Sequence, residues 1–362
     1  MRPRKVLFIM MSLPEDAPYI SYYEHYFGLK NVSIDYIIWN RSGKIDKQYP
    51  NNYHVFNRIS PIRRNPIGKM LDMHRFAKFA ANVIKTNHYD GIVSFTIQTT
   101  LFIKKSLRKF NGKYIIDIRD FSPTLRNPLF RKQFHKLVKN SYATVVSSTG
   151  FEDFLPSGVN YVLSHNIHPT AFTDFSSDII FRNKPYRILT IGQIRDFEAN
   201  SIILKSLGNN QSFELIYAGK GYALDSLKNF VSEHKLTNIL FTGAYKKVDE
   251  LFIARSCEMI NAFMPMNYNS ALLLSNRLYL SAIVGKPIIV NENSEQSKYV
   301  KRYSLGICID NIATIESQIS LYIENFDFNK YNEGRTNFSN RINKDNETFS
   351  ELINNFITLA TK

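Results

Sequence analysis

The stretch 186–207, YRILTIGQIRDFEANSIILKSL, frames the whole chain: an apolar β-rich run, a turn at Gly192, then residues with apolar side chains at helical spacing. A strand that passes through a glycine turn into a helix is half of a β-α-β unit, and the grammar repeats downstream. Further short strands are predicted at 213–218 (FELIYA), 238–242 (NILFT), 258–262 (EMINA) and 287–290 (PIIV), with a helix at 225–234 among those between them. Upstream, the same alternation gives strands at 5–11 (KVLFIMM), 33–39 (SIDYIIW), 91–95 (GIVSF), 113–117 (KYIID) and 143–147 (ATVVS), with a helix over 67–85. Two doubly wound α/β domains with mainly parallel sheets follow, and ligands of such sheets bind at the carboxyl ends of the strands.

The 362 residues suit two domains. The first is predicted over 1–170, a proline- and serine-containing linker over 171–185, and the second over 186–340. The tail 341–362 places Phe349, Leu352, Ile353, Phe356 and Leu359 on one helical face, so it is expected to dock on a domain surface. Cys257 and Cys308 sit in apolar surroundings without metal-ligand spacing, which argues against a disulfide framework or a structural zinc site. No stretch approaches the ~18 apolar residues of a membrane span, so a cytoplasmic protein, soluble or attached to a surface, is expected.

Charge is unevenly shared. Residues 1–170 hold 25 Lys+Arg against 11 Asp+Glu, a net +14, whereas 171–362 hold 21 against 20. Such a basic half suits nucleic acid, an anionic membrane or a phosphorylated ligand. No nucleic-acid module is visible, and the aromatics fall in the expected cores, so nucleic acid ranks last.

Three segments of the second half could hold a phosphate. Gly192 and Arg195 lie just before a helix, where free N–H groups, the positive dipole end and a guanidinium converge. An ordinary strand–helix turn with a solvated arginine would read the same way. Ala218-Gly219-Lys220-Gly221 offers small residues where a ligand could approach the backbone. In SNRLYLSAIVGKPIIV, Ser275 or Asn276 reads as an N-cap, and Arg277 in the first helical turn opposes the dipole unless an anion is present.

The order IGQIRDFEAN, LIYAGKG, ILFTGAYKKVDELFIARSCEMINAF and NYNSALLLSNRLYLSAIVGKPIIV resembles the donor domain of glycosyltransferases with the GT-B fold, closest to the family 4-like enzymes of bacterial capsule and surface polysaccharide synthesis. The resemblance covers 186–310 well and the first half in outline. It implies two Rossmann-like domains facing a central cleft and metal-independent transfer of a sugar, with no cofactor beyond a nucleotide-sugar donor for which UDP is the default. The implied acceptor is a hydroxyl on a lipid-linked glycan, met at the inner face of the plasma membrane. By the same resemblance Arg195 holds the donor diphosphate, Gly219 and Gly221 lie near the nucleotide, Tyr245 lies by the base, and Ser275, Asn276 and Arg277 face the diphosphate and sugar. Packing or capping remains the alternative for each.

The chain departs from the family where two glutamates eight positions apart usually hold the sugar and ribose: Leu272 and Leu280 stand there. Ser12-Leu13-Pro14-Glu15-Asp16 likewise replaces a Gly-Gly after the first strand. A non-catalytic GT-B-like scaffold or glycan-binding protein is therefore a rival reading, and a sugar-nucleotide epimerase a second. An inverting transferase needs a general base. Asp16 and Asp120, on loops leaving first-domain strands, are the candidates, with capping or pairing to Arg119 as the alternative. His165 reads as a satisfied interior histidine. The basic segments are 63–85 and 126–139; in the first, cations interleave with apolar residues, as in helices on anionic lipid or in core-facing helices with a solvated cationic face.

Overall fold

Short apolar runs and helical stretches alternate along this chain, and in the computed structural model the runs form two fully parallel sheets. Residues 4–43, 48–61, 64–168, 181 and 184–359 are described. Most of the linker expected over 171–185 lies outside them, as does Arg63. The first sheet comprises β1 (Lys5–Ile9), β2 (Ser33–Asn40), β3 (Tyr53–Asn57), β4 (Gly91–Phe95), β5 (Tyr114–Ile118), β6 (Ala143–Val146) and β7 (Tyr161–Leu163). The second comprises β8 (Tyr186–Gln193), β9 (Phe213–Lys220), β10 (Ile239–Gly243), β11 (Met259–Asn261), β12 (Ile288–Asn291) and β13 (Gly306–Ile309).

Strand order is β3-β2-β1-β4-β5-β6-β7 in one sheet and β10-β9-β8-β11-β12-β13 in the other. Both are doubly wound, with the order reversing between β1 and β4 and between β8 and β11. Each reversal opens a crevice at the carboxyl ends of the strands, because the chain leaves its two central strands toward opposite faces. The ten strands expected from sequence are present within two residues at each end. β3, β7 and β13 carry no long apolar run, because they lie on sheet edges where one side needs no burial.

The chain divides into two compact units: Met1–His168 with Lys344–Lys362, and Pro169–Asn343. In the first unit Phe8 lies edge-on to Phe27 and Phe95, with centroids 5.6 and 5.4 Å apart. The C-terminal helix is longer than the expected tail and runs over Phe328–Leu359. Its early residues Tyr331, Arg335 and Phe338 are buried in the second unit, where Arg335 Nε donates to Ala282 O at 2.8 Å. Its later residues Phe349, Ile353, Phe356 and Ile357 complete the first core, whereas Leu359 is exposed. Asp345 on this helix lies 3.0 Å from the buried His165 Nε2, which satisfies that histidine.

The helix Pro66–Thr86 starts on Asn65, whose side chain accepts from Gly68 N at 2.7 Å, and Pro66 fills its first turn, where no N–H is needed. Met73, Phe76, Ala80 and Val83 face inward at helical spacing, while Ile67, Met70 and Leu71 are exposed. One face of this helix thus enters the core, and the other carries apolar side chains among cations.

Candidate functional site

In the second sheet, β8 and β9 meet closely at their carboxyl ends. Gly192 and Gly219 are register partners at the ends of β8 and β9, with φ of +97° and +146°. A Cβ at Gly219 would lie 1.9 Å from Gly192 O, and one at Gly221 would lie 2.0 Å from Ile194 O. Glycine is therefore demanded at both positions by the neighbouring backbone itself. Beside Gly192 the space is open, and the first atom a Cβ would meet is Tyr245 Oη at 3.9 Å.

Arg277 lies across this opening. It belongs to the first turn of the helix Asn276–Val284, and its Nε donates to Ile191 O at 2.8 Å while Nη1 donates to Asn261 O at 3.1 Å. Those carbonyls belong to β8 and β11, the two strands that flank the reversal. Burial pulls the Arg277 pKa below its usual value, with the opposing pull of Tyr217, Tyr245 and Asp196 too small to offset it. A guanidinium under such desolvation is stabilised by an anion brought to its remaining edge.

Ser275 occupies the N-cap position but does not cap. Its Oγ donates to Gln296 Oε1 at 3.1 Å, and Gln296 Nε2 donates to Ala262 O at 3.2 Å. The amides at this helix start are thus left without a side-chain acceptor, beside the exposed Asn276. Arg195 is exposed on the loop after β8 and makes no hydrogen bond or ion pair among the described residues. Tyr245 Oη donates to Glu250 Oε1 at 2.9 Å, and burial followed by the Glu250 charge raises its pKa well above the ordinary tyrosine value.

Sequence reasoning passed over Asp196, Glu250 and Gln296. Asp196 is half-buried next to Arg195, and burial raises its carboxyl pKa against the opposing charge of Arg277. It holds the N-cap position of the helix Phe197–Leu207, yet its side chain makes no capping hydrogen bond. A carboxyl whose native pKa exceeds its unfolded value weakens the fold increasingly as pH rises from the unfolded to the native value, and that loss persists above both. Asp196→Asn is accordingly expected to raise stability slightly at neutral pH, by under ~1 kcal/mol. Thermal melts would check it.

At the first sheet's carboxyl edge, Asp16 ends the short turn Pro14–Asp16 after β1 and is exposed, and its neighbour Glu15 accepts from Tyr49 Oη at 2.9 Å. Asp120 is exposed after β5. The two carboxylates share a neighbour: Tyr19, whose pKa is pushed far up by burial first, then by Asp117, with Asp120 and Asp16 adding to it. Asp117 instead forms a buried pair with Arg119, through two hydrogen bonds of 2.7 Å each, and accepts from Tyr23 Oη at 2.6 Å. Leu280 is buried within its helix and Leu272 half-buried, so neither position offers a polar group. Among the described residues no cluster of three or more His, Cys, Asp or Glu could hold a metal.

No family model matches the chain, and no curated protein sequence does. Solved structures do. Sucrose-phosphate synthase from Thermosynechococcus elongatus matches 98% of this chain and 99% of its own, with a TM-score of 0.72 at 11% identity. HepE of Anabaena, solved with UDP, matches 96% and 98%, with a TM-score of 0.66 at 11% identity. WaaG, a glycosyltransferase of lipopolysaccharide biosynthesis, matches 96% and 99%, with a TM-score of 0.64 at 11% identity. Likeness of this extent across both parallel sheets, at so low an identity, establishes architecture: the chain has the GT-B fold.

Proposed function

We propose that this protein is a glycosyltransferase that moves a sugar from a nucleotide-sugar, with UDP as the nucleotide, to a hydroxyl of a lipid-linked glycan during synthesis of a bacterial surface polysaccharide. The observation that carries the reading is Arg277: a desolvated guanidinium tied to the ends of β8 and β11, beside helix amides that no side chain caps. A pyrophosphate placed there would meet the guanidinium, the dipole end and the exposed Arg195 together. These groups would stabilise the charge that develops on the leaving nucleotide, the dominant contribution in such transfers. If configuration inverts, Asp16 or Asp120 would take the acceptor proton. HepE is solved with UDP-glucose as well as UDP, which supports UDP as the first nucleotide to test.

The acceptor is assigned to the basic first unit. No described helix is long and apolar enough to cross a membrane. The helix Pro66–Thr86 exposes Ile67, Met70 and Leu71 beside Lys69, Arg75 and Lys78, which suits reversible attachment to an anionic bilayer, each cation contributing about 1 kcal/mol.

Arg195→Ala is expected to abolish turnover in a panel of nucleotide-sugars while leaving the melting temperature and circular dichroism unchanged, since the side chain is exposed and forms no hydrogen bond or ion pair among the described residues. Wild-type-like kinetics in that variant would refute the assignment. Leu280, buried where a sugar-binding carboxylate would be expected, favours a second reading as a non-catalytic scaffold. Calorimetry separates the two, because a scaffold shows no saturable binding of UDP.

A further inference from the structure

Four arginines of the first unit gather around one carboxylate. Arg41 directly follows β2, Arg58 directly follows β3, Arg64 precedes the helix Pro66–Thr86, and Asp72 and Arg75 lie on that helix. Asp72 is wholly buried. Arg58 Nε donates to its Oδ1, Arg64 Nη1 lies 3.1 Å from Oδ2, and Arg75 Nη1 lies 3.5 Å from Oδ1. Arg41 lies over the Trp39 ring, 4.9 Å from its centroid. Among the described residues Asp72 is the one acid that pairs with any of these arginines, so four positive charges are set against one negative.

The arrangement is built rather than a chance crowding of solvated side chains. A Cβ at Gly68 would fall 2.4 Å from Arg64 Nε, so glycine there leaves room for Arg64 to lie across the first helical turn. Asp72 fixes two guanidinium groups, and the Trp39 face fixes a third. About a third of each of the Arg58 and Arg64 side chains remains exposed, at 33% and 32%, so the group presents guanidinium edges outward while its carboxylate is hidden. Burial draws the Arg41 pKa down, and Asp72 only partly offsets it. Beside the cluster, Asn40, Tyr49, Tyr53, Asn57, Arg58 and Ile59 line a concave site of about 420 Å³, in which Asn40 Nδ2 donates to Asn57 Oδ1 at 3.0 Å.

We propose that Arg41, Arg58, Arg64 and Arg75, preorganised on Asp72 and Trp39, form a binding site for a phosphate-class anion in the first unit, independent of the nucleotide site proposed for the second. A charge excess of three exceeds what a single carboxylate balances, and guanidinium forks match phosphate oxygens in pairs. The phosphate can come from a soluble phosphorylated molecule or from a lipid headgroup, and one experiment separates these sources.

Calorimetry with inorganic pyrophosphate on UDP-saturated protein is expected to show one remaining site, and Arg41→Gln/Arg75→Gln should weaken it tenfold or more. The same double variant should also lose binding to phosphatidylglycerol vesicles if a lipid supplies the phosphate, whereas Arg108→Gln/Lys109→Gln, which removes equal charge elsewhere in the unit, should not. A pyrophosphate site lost in the double variant supports a soluble source. Vesicle binding lost in that variant alone, without a pyrophosphate site, supports a headgroup. No pyrophosphate site together with vesicle binding that is absent or falls equally in both variants overturns the proposal, as does a pyrophosphate site unchanged by Arg41→Gln/Arg75→Gln. If UDP itself fails to bind, the nucleotide assignment falls, and the arginine site is still tested by pyrophosphate alone.

Discussion

Arg277→Ala is expected to reduce kcat/KM for a nucleotide-sugar by about 10²–10³-fold, the scale seen when one preorganised donor to developing charge is removed. The side chain does two things at once. It supplies a cation at the open end of a helix, and its anchoring bonds to Ile191 and Asn261 aim that cation at the gap between β8 and β11. Arg277→Lys separates these, because an ammonium retains the charge but lacks the planar fork that bridges two carbonyls. It should recover part of the UDP affinity and little of the rate. Steady-state kinetics and calorimetry on the two variants read this directly, and a wild-type rate for Arg277→Ala would remove the central support of the proposed function.

Asp117→Ala in the first unit is expected to cost about 3–5 kcal/mol of stability, because it strands the buried Arg119 guanidinium. Burial alone would lower the Arg119 pKa, and the charge and hydrogen bonds of Asp117 more than reverse it. Ser164 O accepts from Arg119 Nη1 at 2.8 Å, and Tyr19 lies under the guanidinium at 4.7 Å, but neither carries a compensating charge. For a unit of this size the melting transition should fall by roughly 10 °C. Scanning calorimetry checks it, and a shift of a degree or two would mean that water reaches the pair and screens it. Asp117→Asn should lie between, retaining hydrogen-bond acceptance without charge.

Asp117 and Asp16 show what residue order could and could not convey. Both are acids at or after the carboxyl end of a first-unit strand, a placement along the chain that suits capping, ion pairing or catalysis alike. Burial separates them: Asp117 is enclosed with Arg119 and Tyr23, while Asp16 faces water at the end of a short turn. The same holds for Arg195 and Arg277. Each stands near a helix start, yet Arg195 is exposed with no hydrogen bond or ion pair among the described residues, and Arg277 is bound to two strand ends. Spacing along a chain reports which element a residue occupies, but its desolvation depends on segments far away in sequence. The Asp72 cluster was legible only as a basic stretch, since its members come from the ends of β2 and β3 and from a helix and its approach.

Residue order alone conveyed the alternation of strands and helices, hence the two parallel sheets, because parallel strands buried on both faces read as near-continuous apolar runs. It also showed that nearly all net charge belongs to the first half. Tertiary structure alone decided that the last helix enters both cores, that Gly219 and Gly221 are held by backbone contact with the neighbouring strand and loop, and that Ser275 turns to Gln296 and leaves a helix start open. Those outcomes depend on which atoms meet across a fold, and contact between residues remote in sequence is set by packing rather than by local pattern.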